Sequence, residues 1–216
     1  MENILVAGAN GTTGKKIVHL LKESQYFNPV AMVRKEEQKA YFEGHNIESV
    51  LADLEDDVTP AFKTKSKIDK VVFAAGSGGK KVVEVDQEGA KKLIDASNKN
   101  SIRKFVMLSS MGVDNPEEMS ELKDYLKAKQ NADEHLKNSG LNYSIVRPGS
   151  LTNEKPSNEI ELEAKLNKRG EISRDDVAQT IVRTLNDDVA NKATFEIIKG
   201  NTLIGKALDK ISKIDA

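Results

Sequence analysis

The stretch GANGTTG, Gly8 to Gly14, narrows the folds open to this chain more than any other. It follows a short apolar run, Asn3–Ala7, and leads directly into GKKIVHLLKE, which reads as an amphipathic helix. Such a strand–turn–helix needs glycine at the tight exit from the strand, where a phosphate meets the backbone, and where helix and strand pack closely. The helix start offers unpaired N–H groups and the positive end of a dipole, so an anion suits it. A triphosphate loop would require glycine, four residues, then Gly-Lys-Ser/Thr. The chain has Ala9 and Lys16 around Gly14-Lys15, and Ala74 and Lys81 around Gly79-Lys80, so no hydroxyl is placed for magnesium. The pyrophosphate of a dinucleotide fits instead, on Gly8, Gly11 and Gly14 in a GxxGxxG spacing.

The same alternation continues almost to the end. Strand patterns are expected at Asn3–Ala7, Val30–Val33, Ile47–Leu51, Lys70–Ala74, Lys104–Leu108, Tyr143–Val146 and Thr194–Ile198. Most are continuous apolar runs, as in a parallel sheet covered on both faces. Helical patterns fall between them, at Thr13–Glu23, Glu36–Glu43, Pro60–Lys63, Val82–Asn98, Glu121–Asn138, Asp175–Asn186 and Leu203–Ile214. Repeated strand–helix–strand units imply right-handed crossovers and a doubly wound α/β parallel sheet, a Rossmann fold, with a small C-terminal substrate region. The length favours a single domain over residues 1–216. Residues 150–172 are polar and broken by Pro156 and Gly170. They are expected to be a substrate-side loop, with a plain surface excursion as the alternative.

Composition removes several classes. Cysteine is absent, so no disulfide, cysteine-ligated metal or thiol nucleophile is available. The 33 Lys+Arg and 34 Asp+Glu nearly cancel, to −1, so no nucleic-acid partner is expected. MENILVAG lacks the basic and apolar regions of a signal peptide, and no stretch approaches the ~20 apolar residues of a membrane span. No membrane partner and a cytoplasmic location are therefore expected. His19, His45 and His135 show no ligand spacing, and DLEDD at 53–57 lacks a glycine-centred calcium loop, so no metal is expected. The lysines of KTKSKI read as a solvated face.

Which dinucleotide binds depends on the end of the second strand, where a carboxylate would hold an NAD ribose. Here VAMV ends in Arg34-Lys35, with no acid until Glu36. Two cations suit a 2′-phosphate, which an arginine grips with a planar fork. The plainer reading is a solvated basic pair at the sheet edge. NADP(H) is the expected cofactor, with NAD(H) still admissible.

In order along the chain stand GANGTTGKKIV, VRK, Ala52-Asp53, VVFAAGSGG, FVMLSSMG, YLKAK, SIVRPGSLTNE and ISRDDVAQTIV. Together they resemble the atypical short-chain dehydrogenases/reductases, most closely the small NAD(P)-binding NmrA-like and epimerase-like branch. The resemblance implies that Gly8, Asn10, Gly11, Thr12, Thr13 and Gly14 form the phosphate turn. It places Asp53 and Leu54 by the adenine, with Ala74, Ala75 and Gly76 under the cofactor. Ser109 and Ser110 would lie beside the nicotinamide, and Pro148 and Gly149 on its other side. It also implies that a serine, best matched by Ser110, hydrogen-bonds a substrate carbonyl.

Reduction of a carbonyl needs hydride at carbon and a proton at oxygen. Tyrosine serves if a nearby cation lowers its pKa from about 10. Tyr125 and Lys129 share one helix face. Lys129 falls near the centre of the apolar stripe of Leu122, Leu126, Ala132 and Leu136, a costly place for a charge without partners. Ribose hydroxyls and the tyrosine would be such partners. The plainer readings are a lysine snorkelling outward, or one paired with Asp133. Arg147 reads as a salt-bridge residue. The expected function is an NADP(H)-dependent oxidoreductase acting on a small carbonyl, quinone or flavin-like acceptor, through Ser110, Tyr125 and Lys129. A non-catalytic NADP(H) sensor is the alternative and a nucleotide-sugar epimerase the third. The oligomeric state is left open.

Overall fold

The computed structural model describes residues 1–212. Along the chain run β1 (Glu2–Ala7), α1 (Thr12–Glu23), β2 (Phe27–Val33), α2 (Glu36–Gly44), β3 (Glu48–Leu51), β4 (Lys70–Phe73) and α3 (Ala90–Lys99). They continue with β5 (Lys104–Leu108), α4 (Lys123–Asn138), β6 (Tyr143–Pro148), β7 (Ser150–Thr152), β8 (Glu159–Glu163) and β9 (Glu171–Ser173). The last are α5 (Arg174–Thr184), β10 (Ala193–Lys199), β11 (Thr202–Leu203) and α6 (Ile204–Ser212). A nine-stranded sheet has the order β11-β8-β10-β6-β5-β4-β1-β2-β3, and β7 pairs with β9 beside it. From β3 through β10 every neighbouring pair is parallel. The strand order reverses between β1 and β4, and a ligand crevice opens outside the strand ends at such a switch point.

The central strands β1, β4 and β5 are apolar on both sides because both faces are covered. Ile4 and Val6 of β1 pack with Ile17 and Leu21 of α1, Ile181 of α5 and Leu208 of α6. Leu5 and Ala7 turn to the other face, with Leu93 and Ile94 of α3 and Leu136 of α4. Burying each large aliphatic side chain contributes ~1.5–3 kcal/mol, which makes this double sandwich the main source of stability.

The seven expected strands are all present, and Lys104–Leu108 has the expected bounds. β2 begins earlier, at Phe27, and carries Pro29 inside it. β3 joins only from Val30, so the missing Pro29 N–H costs the β2–β3 ladder nothing. The expected helix Pro60–Lys63 is a single 3₁₀ turn, Thr59–Phe62. Val82–Asn98 is not one α-helix: Val82–Gly89 winds as a π-helix before α3 begins. Of the expected Leu203–Ile214 helix, Ile204–Ser212 is α6, and Ile214 lies outside the described residues.

Residues 150–172 correct the loop expectation. They contain β7, β8 and the start of β9, and β8 pairs antiparallel with both β10 and β11. Gly170 closes a tight contact there rather than breaking a strand. A Cβ on it would lie 2.8 Å from Ile198, and one on Gly149 would lie 2.2 Å from the Gly170 carbonyl oxygen. Among the described residues no helix is long and apolar enough to cross a membrane.

Candidate dinucleotide and substrate cleft

The glycine turn is held by its own backbone. Gly11 N–H donates to the Gly8 carbonyl at 2.9 Å, and Lys15 N–H to the Gly11 carbonyl at 2.9 Å. Gly8 has φ +82°, and a Cβ there would sit 2.5 Å from Ala75 N, so β1 and β4 meet with no room for a side chain. On Gly14 a Cβ would lie 2.0 Å from the Gly8 carbonyl oxygen, which makes this the helix–strand packing glycine. α1 starts after Gly11 with no side-chain cap and no acid in its first turn. Its N–H groups and positive dipole end are thus left for an anion.

In front of this turn lies a cleft of about 1130 Å³, at or beyond the upper end of the ~300–1,000 Å³ common for small-molecule sites. Gly8, Asn10, Gly11, Thr12 and Thr13 form one part of its wall; Gly14 lies behind them. Arg34, Asp53 and Leu54 line the next part, with Ala74, Ala75 and Gly76 beneath. Lys35 is exposed and lies outside the wall. Two buried polar atoms of wall residues, Ser77 Oγ and Arg174 Nε, have no protein partner. The phosphate-ready turn and the long cleft fit a nicotinamide dinucleotide.

The far end of the cleft is built from Leu108 of β5 and Ser109 just after it, Tyr125 and Lys129 of α4, Leu151 of β7 and Arg174 of α5. Lys129 is 3% exposed. Its Nζ lies 3.3 Å from the Ala75 carbonyl, 3.4 Å from the Leu108 carbonyl and 3.3 Å from Asp86 Oδ1. The ammonium also sits 5.8 Å from the Tyr125 ring centroid and 5.5 Å from that of Phe73. Lys129 is therefore neither snorkelled nor bonded to Asp133. Its carboxylate is Asp86, fully buried on the π-helical segment, which also accepts Ser77 N–H at 3.0 Å. The Asp86–Lys129 contact is an ion pair without an aligned hydrogen bond.

Asp133, one turn along α4, belongs to a second network. It accepts from Ser109 Oγ at 2.9 Å and from Arg147 Nε at 3.0 Å, while Arg147 Nη1 reaches Asp114 at 2.8 Å. Burial pushes the Asp133 carboxyl up, against the pull of the Arg147 guanidinium and the Ser109 hydroxyl. Arg147 is a salt-bridge residue, as expected. Ser110 lies outside the wall, its Oγ donating to the Met111 carbonyl at 3.0 Å. Pro148 and Gly149 are also outside it and carry the chain toward Leu151, which is in it.

Sequence reasoning missed Gln38, Ser77, Lys80, Lys81, Asp86 and Arg174. All but Asp86 line the cleft. The GSGGKK stretch did signal the β4 loop, but only as a failed triphosphate motif.

Residues 8–188 match a family model described as NAD(P)H-binding. The chain belongs to this family, in the atypical short-chain dehydrogenase/reductase group of nicotinamide-dinucleotide-binding Rossmann proteins. A Bacillus subtilis (strain 168) protein, YhfK, named an uncharacterized sugar epimerase, is 40% identical over 213 residues, covering 96% of this chain and 99% of its own. Sanguinarine reductase of Eschscholzia californica is 28% identical, covering 88% and 86%. A solved structure from Bacillus halodurans, whose assignment as an NAD-dependent epimerase/dehydratase is provisional, is 36% identical with a TM-score of 0.89, covering 97% and 100%.

Proposed function

We propose that this chain is an NADP(H)-dependent oxidoreductase that reduces a small carbonyl, quinone or flavin-like acceptor. The observation that carries the reading is Tyr125 and Lys129 in the wall of the same cleft that the glycine turn opens. A relative named sanguinarine reductase supports the reaction class. Bound nicotinamide cofactor supplies the hydride. The N-terminus of α1 holds the diphosphate, and Arg34 takes the 2′-phosphate. Tyr125 gives its phenolic proton to the acceptor oxygen. Lys129, fixed by Asp86 and two carbonyls, offsets the negative charge that develops as the proton leaves. Both serine hydroxyls spend their single proton inside the protein, on Asp133 and on Met111. Ser110 would have to leave the Met111 carbonyl to orient a substrate, so the donor role rests on Tyr125.

Tyr125→Phe is expected to lower kcat at least ~100-fold while NADPH affinity stays within about twofold. Turnover at the wild-type rate would end the tyrosine assignment.

The internal satisfaction of both serines and of Lys129 favours a second reading, a cofactor sensor that turns nothing over. Single-turnover NADPH fluorescence separates the two. Oxidation of bound NADPH by any member of a carbonyl, quinone and flavin panel supports the enzyme, and none across the panel supports the sensor. The epimerase name of the Bacillus subtilis relative gives a third reading. It would need a sugar lobe, whereas the segment after Gly149 forms β7, β8 and β9 with their loops.

A further inference from the structure

Glu55 stands between two cations at the adenine end of the cleft. Its Oε2 accepts from Lys81 Nζ at 2.5 Å, and its Oε1 lies 4.0 Å from Arg34 Nη1. The three residues come from different places: Arg34 from the end of β2, Glu55 from the loop after β3, and Lys81 from the glycine-rich loop after β4. Arg34 and Lys81 both line the cleft. Their side chains are 56% and 54% exposed against 27% for Glu55, so the cations are the open partners and the carboxylate the inner one.

The two arms differ in firmness. Glu55 follows a side-chain-closed turn in which Asp53 Oδ1 accepts Glu55 N–H at 3.1 Å. Lys81 ends a loop in which Gly78 and Gly79 have φ +63° and +83°, with nothing within 4 Å of where a Cβ would be. A carboxylate between a guanidinium and an ammonium occupies both cations in the way a phosphate would.

We propose that Glu55 holds the place of the cofactor 2′-phosphate, and that Lys81 is the second cation of that site. NADP(H) then binds by exchanging the carboxylate for the phosphate. The inference rests on the reading that Arg34 takes the 2′-phosphate, and it makes Glu55 the residue that sets the margin between NADP(H) and NAD(H). Of the two positive charges, Glu55 cancels one, and its carboxylate repels an incoming phosphate. A bare 2′-hydroxyl needs no such exchange and is not repelled.

The test is the Kd of NADPH and of NADH for the full chain, by cofactor fluorescence, in wild type, Glu55→Gln, Lys81→Gln and Arg34→Ala. Glu55→Gln keeps the shape and removes the charge, and is expected to tighten NADPH about fivefold with NADH within about twofold. Lys81→Gln is expected to weaken NADPH about fivefold and again spare NADH. Unchanged or weaker NADPH binding in Glu55→Gln overturns the exchange, as does a Lys81→Gln loss shared equally by both cofactors. Arg34→Ala tells the two failures apart. If it weakens NADPH far more than NADH, a failed Glu55→Gln counts against the exchange alone; equal losses remove the premise and the proposal together. Melting curves matching wild type confirm that each variant folds.

Discussion

At the edge where the strands end, one buried lysine, Lys129, is held by an ion pair and two carbonyls at 3.3–3.4 Å beside an open cleft. At the edge where they begin, two buried lysines sit opposite each other on adjacent strands, Lys70 on β4 and Lys104 on β5. Their contacts are closer. Lys70 Nζ donates to the Leu185 carbonyl at 2.7 Å and pairs with Glu2 at 2.7 Å and Asp187 at 2.5 Å. Lys104 Nζ donates to the carbonyls of Val189 at 2.5 Å and Asn186 at 3.2 Å, and to Asn191 Oδ1 at 2.9 Å. The chain leaving α5 wraps over both ammonium groups, where a helix C-terminus favours positive charge. One edge closes its cations in among short contacts; the other holds its cation at longer range beside the cleft, where chemistry can use it.

The sharpest way to test that division is to damage each edge separately. Gly14→Ala forces a Cβ to within 2.0 Å of the Gly8 carbonyl oxygen. The turn must open, and NADPH affinity is expected to fall roughly a hundredfold, about 3 kcal/mol, in a fluorescence titration. Lys104→Met attacks the opposite edge. It leaves buried acceptors unpaired and is expected to cost about 3 kcal/mol, lowering Tm by on the order of 10 °C. NADPH Kd should stay within about twofold in that variant, and a larger change would break the division between edges.

The smallest effect concerns pH. Burial, with Lys70 adding to it, lowers Lys104 from 10.5 to about 8. Between about 8 and 10.5 the unfolded chain holds a proton that the folded chain has released, so stability from this residue rises with pH across that window. Urea titrations on either side of the window should show wild type gaining on Lys104→Met as pH rises. A constant difference would mean that folding does not desolvate Lys104.

What the sequence made legible was set by local pattern. The parallel strands were visible because burial on both faces writes them as unbroken apolar runs, as in FVML of β5. β8 follows a different rule. Its EIELE buries Ile160 and Leu162 and turns glutamates outward, an antiparallel alternation inside a stretch otherwise rich in loop signals. At the site, the turn glycines and the Tyr125–Lys129 pairing could be read because both are local in sequence, one in the β1–α1 turn and the other on α4. Asp86 could not, since its pairing with Lys129 depends on how the π-helical segment packs on α4. For the same reason Ser110 looked the better candidate than Ser109, although only Ser109 reaches the wall and its hydroxyl belongs to Asp133.

The π-helical winding of Val82–Gly89 makes this part of the chain sensitive to residue count as well as residue type. A π turn closes its hydrogen bonds one residue later than an α turn. Deleting one residue there would let the segment rewind as ordinary α-helix and rotate what precedes the deletion by about 100° relative to α3. Asp86 would leave Lys129, and the Gly76–Lys81 loop would lose its anchor at Ser77. A one-residue deletion at an exposed position between Asp86 and α3, such as Glu88, should therefore harm cofactor binding more than replacing that residue with alanine, which a paired titration would show.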